Sequence, residues 1–116
     1  MTNIAVTFEP NAEDRKILTE ILGSVAQIIF IKKMAPEARA RELARADVLI
    51  SWSPARELQP EEFKLISNTR MMQLLSAGAD HIPFSRLPPG LLVAANVGAY
   101  AEPMAEHVIA MILAVT

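Results

Sequence analysis

Ser76-Ala77-Gly78-Ala79-Asp80 is the stretch of this sequence best suited to hold a small anion. It follows the apolar pair Leu74-Leu75 and leads into His81-Ile82. A glycine just past a strand end lets the backbone turn and lets a ligand come close. Successive N–H groups in such a turn can converge on an anion without any side-chain charge, which suits small residues here. The competing reading is an ordinary strand-to-loop turn, since glycine after a strand is common. Asn96-Val97-Gly98-Ala99-Tyr100 is a second stretch of this type, and Asn96 can donate or accept at the same rim. Against that stands an asparagine that satisfies only its own turn. Ser51-Trp52-Ser53-Pro54 is the third, where Trp52 could wall a site mouth; a place in the core or at a partner interface is the favoured reading for it.

The remaining polar residues point elsewhere. His107 follows Glu106 about 100° around a helix, which is not the i, i+4 spacing of a metal pair. His81 beside Asp80 on a loop does not define a catalytic pair. The acidic residues fall on the expected outer faces of helices and read as a solvated surface. The glycines are Gly23, Gly78, Gly90 and Gly98, and none forms a GxGxxG dinucleotide loop.

Elements that would position these loops can be read in order. Ile4-Ala5-Val6-Thr7-Phe8 is a first strand without polar alternation, as expected when both faces are covered. Asn11 is placed to cap a helix carrying the stripe Ile17, Leu18, Ile21 and Leu22, with Gly23 at its C′ position. Next comes a β-branched strand over 25–31, then a helix from Pro36 to about Arg45 with Ala38 and Leu43 inside and Glu37, Arg39, Arg41, Glu42 and Arg45 outside. The third strand spans 47–52. Pro60 opens a short helix carrying Phe63, Leu65 and Ile66. A fourth strand spans 71–75, Pro88-Pro89-Gly90 makes a turn, and a fifth strand spans 91–95. Pro103 opens a last helix to about Val115.

Alternating strands and helices imply an α/β fold, a parallel five-stranded sheet with helices on both faces and right-handed crossovers. At this size the flavodoxin-like order 2-1-3-4-5 is expected, with ligands outside the carboxyl ends of the strands. The loops of interest are then 9–11, 51–55, 76–81 and 96–100.

The chain has 116 residues, room for one domain of ordinary size, and 52% of it is apolar, enough for a core. Its formal charge of −2 lacks the basic surface that neutralises phosphates, so no nucleic-acid partner is expected. It has no cysteine, hence no disulfide, thiolate nucleophile or thiolate-bound metal. Met-Thr-Asn at the start is unlike a signal peptide. The apolar run over 108–115 is far short of the ~20 residues that span a bilayer. A soluble, cytoplasmic protein is expected.

Met104, Ala105, Val108, Ile109, Ala110, Met111, Ile112, Leu113, Ala114 and Val115 make the last helix apolar nearly all round. Such a helix needs cover on every side. One side can lie on the sheet; the other calls for a partner, either a second copy or further polypeptide.

Taken together, Leu75-Ser76-Ala77-Gly78-Ala79-Asp80-His81-Ile82, then Asn96, then Ala105-Glu106-His107 and Ile109-Ala110-Met111-Ile112-Leu113, resemble the D-isomer-specific 2-hydroxyacid dehydrogenases. Residues before Leu75 match only in their order of strands and helices. The resemblance implies a flavodoxin-like substrate-binding domain over 1–101 and the start of an interdomain helix over 102–116. It implies a second, Rossmann domain, outside this chain, that binds NAD or NADP. It implies a small 2-oxo or 2-hydroxy acid as substrate, of the glyoxylate or hydroxypyruvate kind, and a homodimer. By the same resemblance the backbone amides of Ala77 and Gly78 hold the substrate carboxylate, beside Ser76 and Asn96, with Trp52 and Ser53 in weaker roles. The family's catalytic arginine, glutamate and histidine correspond to sequence beyond Thr116. This stretch alone is therefore expected to be inactive, with no catalytic, cofactor or metal residue of its own. The reading from another class is a stand-alone flavodoxin-like binding or regulatory domain that dimerises through its last helix.

Overall fold

A computed structural model describes residues 2–75 and 82–95 and the helical positions 109, 110, 112 and 113. Strand β1 is Thr2–Val6, helix α1 Ala12–Leu22, β2 Ala26–Phe30, α2 Pro36–Arg45 and β3 Val48–Ser51. A single turn, α3, Pro54–Glu57, and a 3-10 helix, Pro60–Ile66, lead to β4, Met71–Leu74. A 3-10 turn at Phe84–Arg86 precedes β5, Leu92–Ala94.

The five strands form one parallel sheet in the order β2-β1-β3-β4-β5. This is the α/β arrangement and strand order expected from the alternating elements. In β3 and β4 every residue is buried, because both faces of the sheet are covered. Side chains alternate between two cores. Ile4, Val6, Val48, Ile50, Met71 and Leu75 face Leu18 and Leu22 of α1. Ala5, Leu49, Met72 and Leu74 face Leu43 of α2, Leu58, and Phe63 and Ile66 of the 3-10 helix. Ile112 is buried in the first core with Ile109 packed beside it, whereas Leu113 is 67% exposed. The described part of the last helix thus lies on the sheet by one side. The expectation that this helix runs on toward a second domain, and the 101/102 boundary, fall outside the described residues.

The local signals explain most boundaries. Asn11 caps α1, its side chain accepting from Asp14 N at 2.8 Å. Pro36 starts α2 at N1. Gly90 has φ of 86°, the left-handed conformation that suits the Pro-Pro-Gly turn.

Four expectations are corrected. The first strand begins at Thr2, not Ile4, because Thr2 and Asn3 pair with Ala26 and Gln27 at the sheet's amino edge. Gly23 has φ of −61°, so it is not a left-handed C′ residue; a Cβ there would stand 2.3 Å from the Thr19 carbonyl oxygen. The helix after Pro60 is 3-10, with Glu62 N donating to Gln59 O, and the turn α3 before it was not foreseen. Arg39 and Glu62 are not on a solvated face: their side chains are 11% and 8% exposed and paired to each other.

Candidate functional site at the carboxyl ends of β1, β3 and β4

Strands β1, β3 and β4 are neighbours, so their carboxyl ends share one rim. Thr7 N donates to Ile50 O at 3.1 Å, and Leu75 N donates to Ser51 O at 2.9 Å. These bonds continue the ladders one step past the strands. The end of β3 is thereby tied on one side to Thr7 and on the other to Leu75, the residue before Ser76.

Immediately beyond, the chain reverses. Ser53 is extended, as residues before proline are, and Pro54 starts α3. One turn later Glu57 reaches back over the loop. Its Oε1 accepts from Ser51 Oγ at 2.6 Å, from Thr7 Oγ1 at 2.7 Å and from Trp52 N at 3.1 Å. Its Oε2 accepts from Ser53 N at 3.0 Å. One carboxylate thus fixes the Ser51-Trp52-Ser53 loop and fastens it to the end of β1. Hydrogen bonds to an ionised acceptor are the shorter and stronger kind.

Trp52 is 46% exposed and meets Phe8 edge-to-face, with ring centroids 6.2 Å apart at 72°. Its ring is therefore on the rim and not in either core. Next to it, Glu9 pairs with Arg15 of α1, and the Arg15 guanidinium stacks 4.1 Å over the Phe30 ring. The rim is thus aromatic at β1 and β3, with its polar backbone groups drawn inward by Glu57.

A second polar cluster supports the first from behind. Arg39 of α2 grips Glu62 with two bonds of 2.9 Å, from Nε and from Nη2. The same guanidinium donates to Glu57 O at 2.9 Å and to Ile31 O at 3.1 Å. Glu62 also accepts from Gln59 N at 2.8 Å. The hydrogen bond from Arg39 holds the Glu62 carboxyl below its ordinary value, against the opposing effect of burial, with the Gln59 amide and the Arg39 charge adding to it. Arg39 is raised above its ordinary value by the same bond. A groove of about 510 Å³ opens beside this pair, lined by Lys32, Arg39, Arg56, Glu57, Glu61 and Glu62 among others. Its charges are mixed, and Arg39 and Glu57 are committed inside the protein.

Gln73, fully buried in β4, shares the face of Met71 and Leu75 by alternation. Its Nε2 donates to Leu74 O at 3.0 Å and to Ala94 O at 3.3 Å, while Oε1 has no partner among the described residues.

Of the residues singled out in the sequence, Ser51, Trp52 and Ser53 follow one another at the carboxyl end of β3, and Trp52 stands on the rim instead of in the core. Ser76, Ala77, Gly78 and Asn96 lie outside the described residues, as do His81 and His107. Thr7, Glu57 and Gln73 were not singled out. Glu57 had a local signal: a Ser-Pro turn with an acid four residues after the serine can fold back on its own loop, a variant of the capping box. Thr7 had none, since its partner is 50 residues away. Among the described residues no helix is long and apolar enough to cross a membrane. No protein-family model matches this chain, and no curated protein is significantly similar to it.

Proposed function

We propose that residues 1–116 form the substrate-binding part of an NAD(P)-dependent oxidoreductase that interconverts 2-oxo acids and D-2-hydroxy acids. The observation that carries this reading is the strand order. It sets β3, β4 and β5 side by side, so Ser51–Ser53, the Ser76–Asp80 stretch and Asn96 each come after the carboxyl end of adjacent strands. Ligands of doubly wound sheets sit at such ends. Two of the stretches that carry the family resemblance, 75–82 and Asn96, follow the neighbouring strands β4 and β5 in sequence. In this reading the amides of Ala77 and Gly78 bind the acid's carboxylate, Ser76 and Asn96 flank it, and Trp52 and Ser53 close one wall.

The four glycines are too far apart to cradle a dinucleotide pyrophosphate. The reading therefore assigns no cofactor contact to this chain and places NAD or NADP on a further, Rossmann domain. A small acid of the glyoxylate or hydroxypyruvate kind, a homodimer and a cytoplasmic setting belong to the same proposal.

Gly78→Val in the full-length polypeptide tests it. A branched side chain at the carboxylate amides crowds the ligand, so KM for glyoxylate should rise by a factor on the order of ten or more while cofactor affinity is unchanged. Equal KM and kcat in the variant and the parent would remove Gly78 from the site.

A further inference from the structure

We infer that Glu57 is a positioning residue, whose carboxylate sets the geometry of the substrate-binding rim without touching the substrate. The inference rests on the dehydrogenase reading for its kinetic consequence, though not for its structural one.

Four donors converge on this single side chain, from Thr7, Ser51, Trp52 and Ser53. Two of them are consecutive backbone amides of the loop after β3. The other two are hydroxyls, one at the end of β1 and one at the end of β3. An acid filled by donors from its own protein has little left to offer a ligand. What it does instead is fix where the loop sits. Ser51, held by its hydroxyl, receives Leu75 N on its carbonyl at 2.9 Å. The position of Glu57 is thus passed to Trp52 and Ser53 directly, and through Ser51 to the residue that precedes Ser76. Arg39 holds Glu57 in turn by its carbonyl oxygen, at 2.9 Å, and is itself clamped by Glu62. Direct protein contacts thus run unbroken from α2 to the rim, so the loop is set before any ligand arrives. Preorganisation of this kind lowers the cost of binding.

The variants separate positioning from bulk stability. Glu57→Gln keeps an oxygen for Thr7, Ser51 and Trp52 and loses only the Ser53 bond. Glu57→Ala loses all four. In the full-length polypeptide, Glu57→Ala should raise KM for glyoxylate about ten- to a hundredfold, the range expected of a small misplacement, with kcat within about threefold. Glu57→Gln should stay within about threefold of the parent in both. Labelling with 5-fluorotryptophan, and assigning the Trp52 resonance by its loss in Trp52→Phe, gives a second readout that needs no turnover. That resonance should move or broaden in Glu57→Ala and return toward its parent position in Glu57→Gln. Where Glu57→Ala does not fold, Ser51→Ala, which removes the shortest of the four bonds, is read in the same way. A Trp52 resonance unchanged by loss of the carboxylate overturns the inference. A shifted resonance with unchanged KM overturns its kinetic half. A parent that turns over no 2-oxo acid overturns the dehydrogenase reading, while the fluorine comparison still decides the role of Glu57.

Discussion

Gln73→Glu should destabilise the fold by about 4 kcal/mol at pH 7. The carboxamide nitrogen of Gln73 points at two carbonyl oxygens, those of Leu74 and Ala94. A carboxylate in its place would face these two acceptors, inside a sheet where the residue has no solvent contact. Taking up a proton is its only relief. Burial then raises the folded-state value of the introduced acid above its unfolded value of about 4.3. A raised value means that the protonated form is favoured by folding. The variant is therefore least impaired below about pH 4 and loses stability as the pH rises toward its raised folded value. Urea unfolding at pH 4 and pH 7 measures the difference. Gln73→Met is the control. It removes the two donated bonds and also the unpartnered Oε1, whose burial costs about 1–3 kcal/mol. These opposing changes should leave its stability within about 1 kcal/mol of the parent. Equal stability of Gln73→Glu at the two pH values would mean that this amide is not oriented as described.

Arg39→Met should cost about 3 kcal/mol, the lower end of the penalty for stranding one partner of a buried pair. The substitution keeps the aliphatic stem and removes every bond of the guanidinium. Glu62, 8% exposed, keeps the bond from the Gln59 amide but loses both from Arg39, and the carbonyls of Ile31 and Glu57 lose theirs. The loss should depend on pH in a fixed direction. Glu62 in the parent lies below its ordinary value, chiefly through the Arg39 bond. Its contribution is present above the unfolded carboxylate value and disappears as the pH falls through the lower folded one. The two proteins should therefore converge in stability below about pH 4 and separate above it. Arg39 is shifted upward, so its own contribution would fade only in strong alkali, outside any working range. Denaturant titrations of parent and variant between about pH 3 and pH 7 give the comparison. A gap that persists unchanged at the acid end would show that the pairing with Glu62 is not its source.

The parts of the molecule that could be read in the sequence are those fixed by local pattern. The runs at 48–51 and 71–74 show no polar alternation, so they had to be strands covered on both faces. Asn11, Pro36 and the Pro-Pro-Gly turn carry their own conformational reasons. The strand order came from right-handed crossovers and chain length. What escaped was settled by contacts between distant segments. Glu62 looks like any acid on a short exposed helix, and the Ser-Pro signal before Glu57 points to its own loop but not to Thr7. Glu57 is drawn inward by Thr7, 50 residues away, and Glu62 by Arg39, 23 residues away. Arg39 itself sits where the helix pattern would place a solvated cation. Gln73 interrupts an apolar strand by one residue, and nothing nearby in sequence indicates that Ala94, 21 residues on, supplies an acceptor. The rim at Ser51-Trp52-Ser53 was anticipated from its position after a strand, but its anchor was not.

Stereospecific oxidation measures the central proposal most directly. The full-length polypeptide containing these residues, given NAD or NADP, should oxidise D-glycerate and leave L-glycerate untouched, monitored as reduced nicotinamide absorbance. Turnover of the L isomer, or of neither isomer nor any other small 2-hydroxy acid, would contradict it.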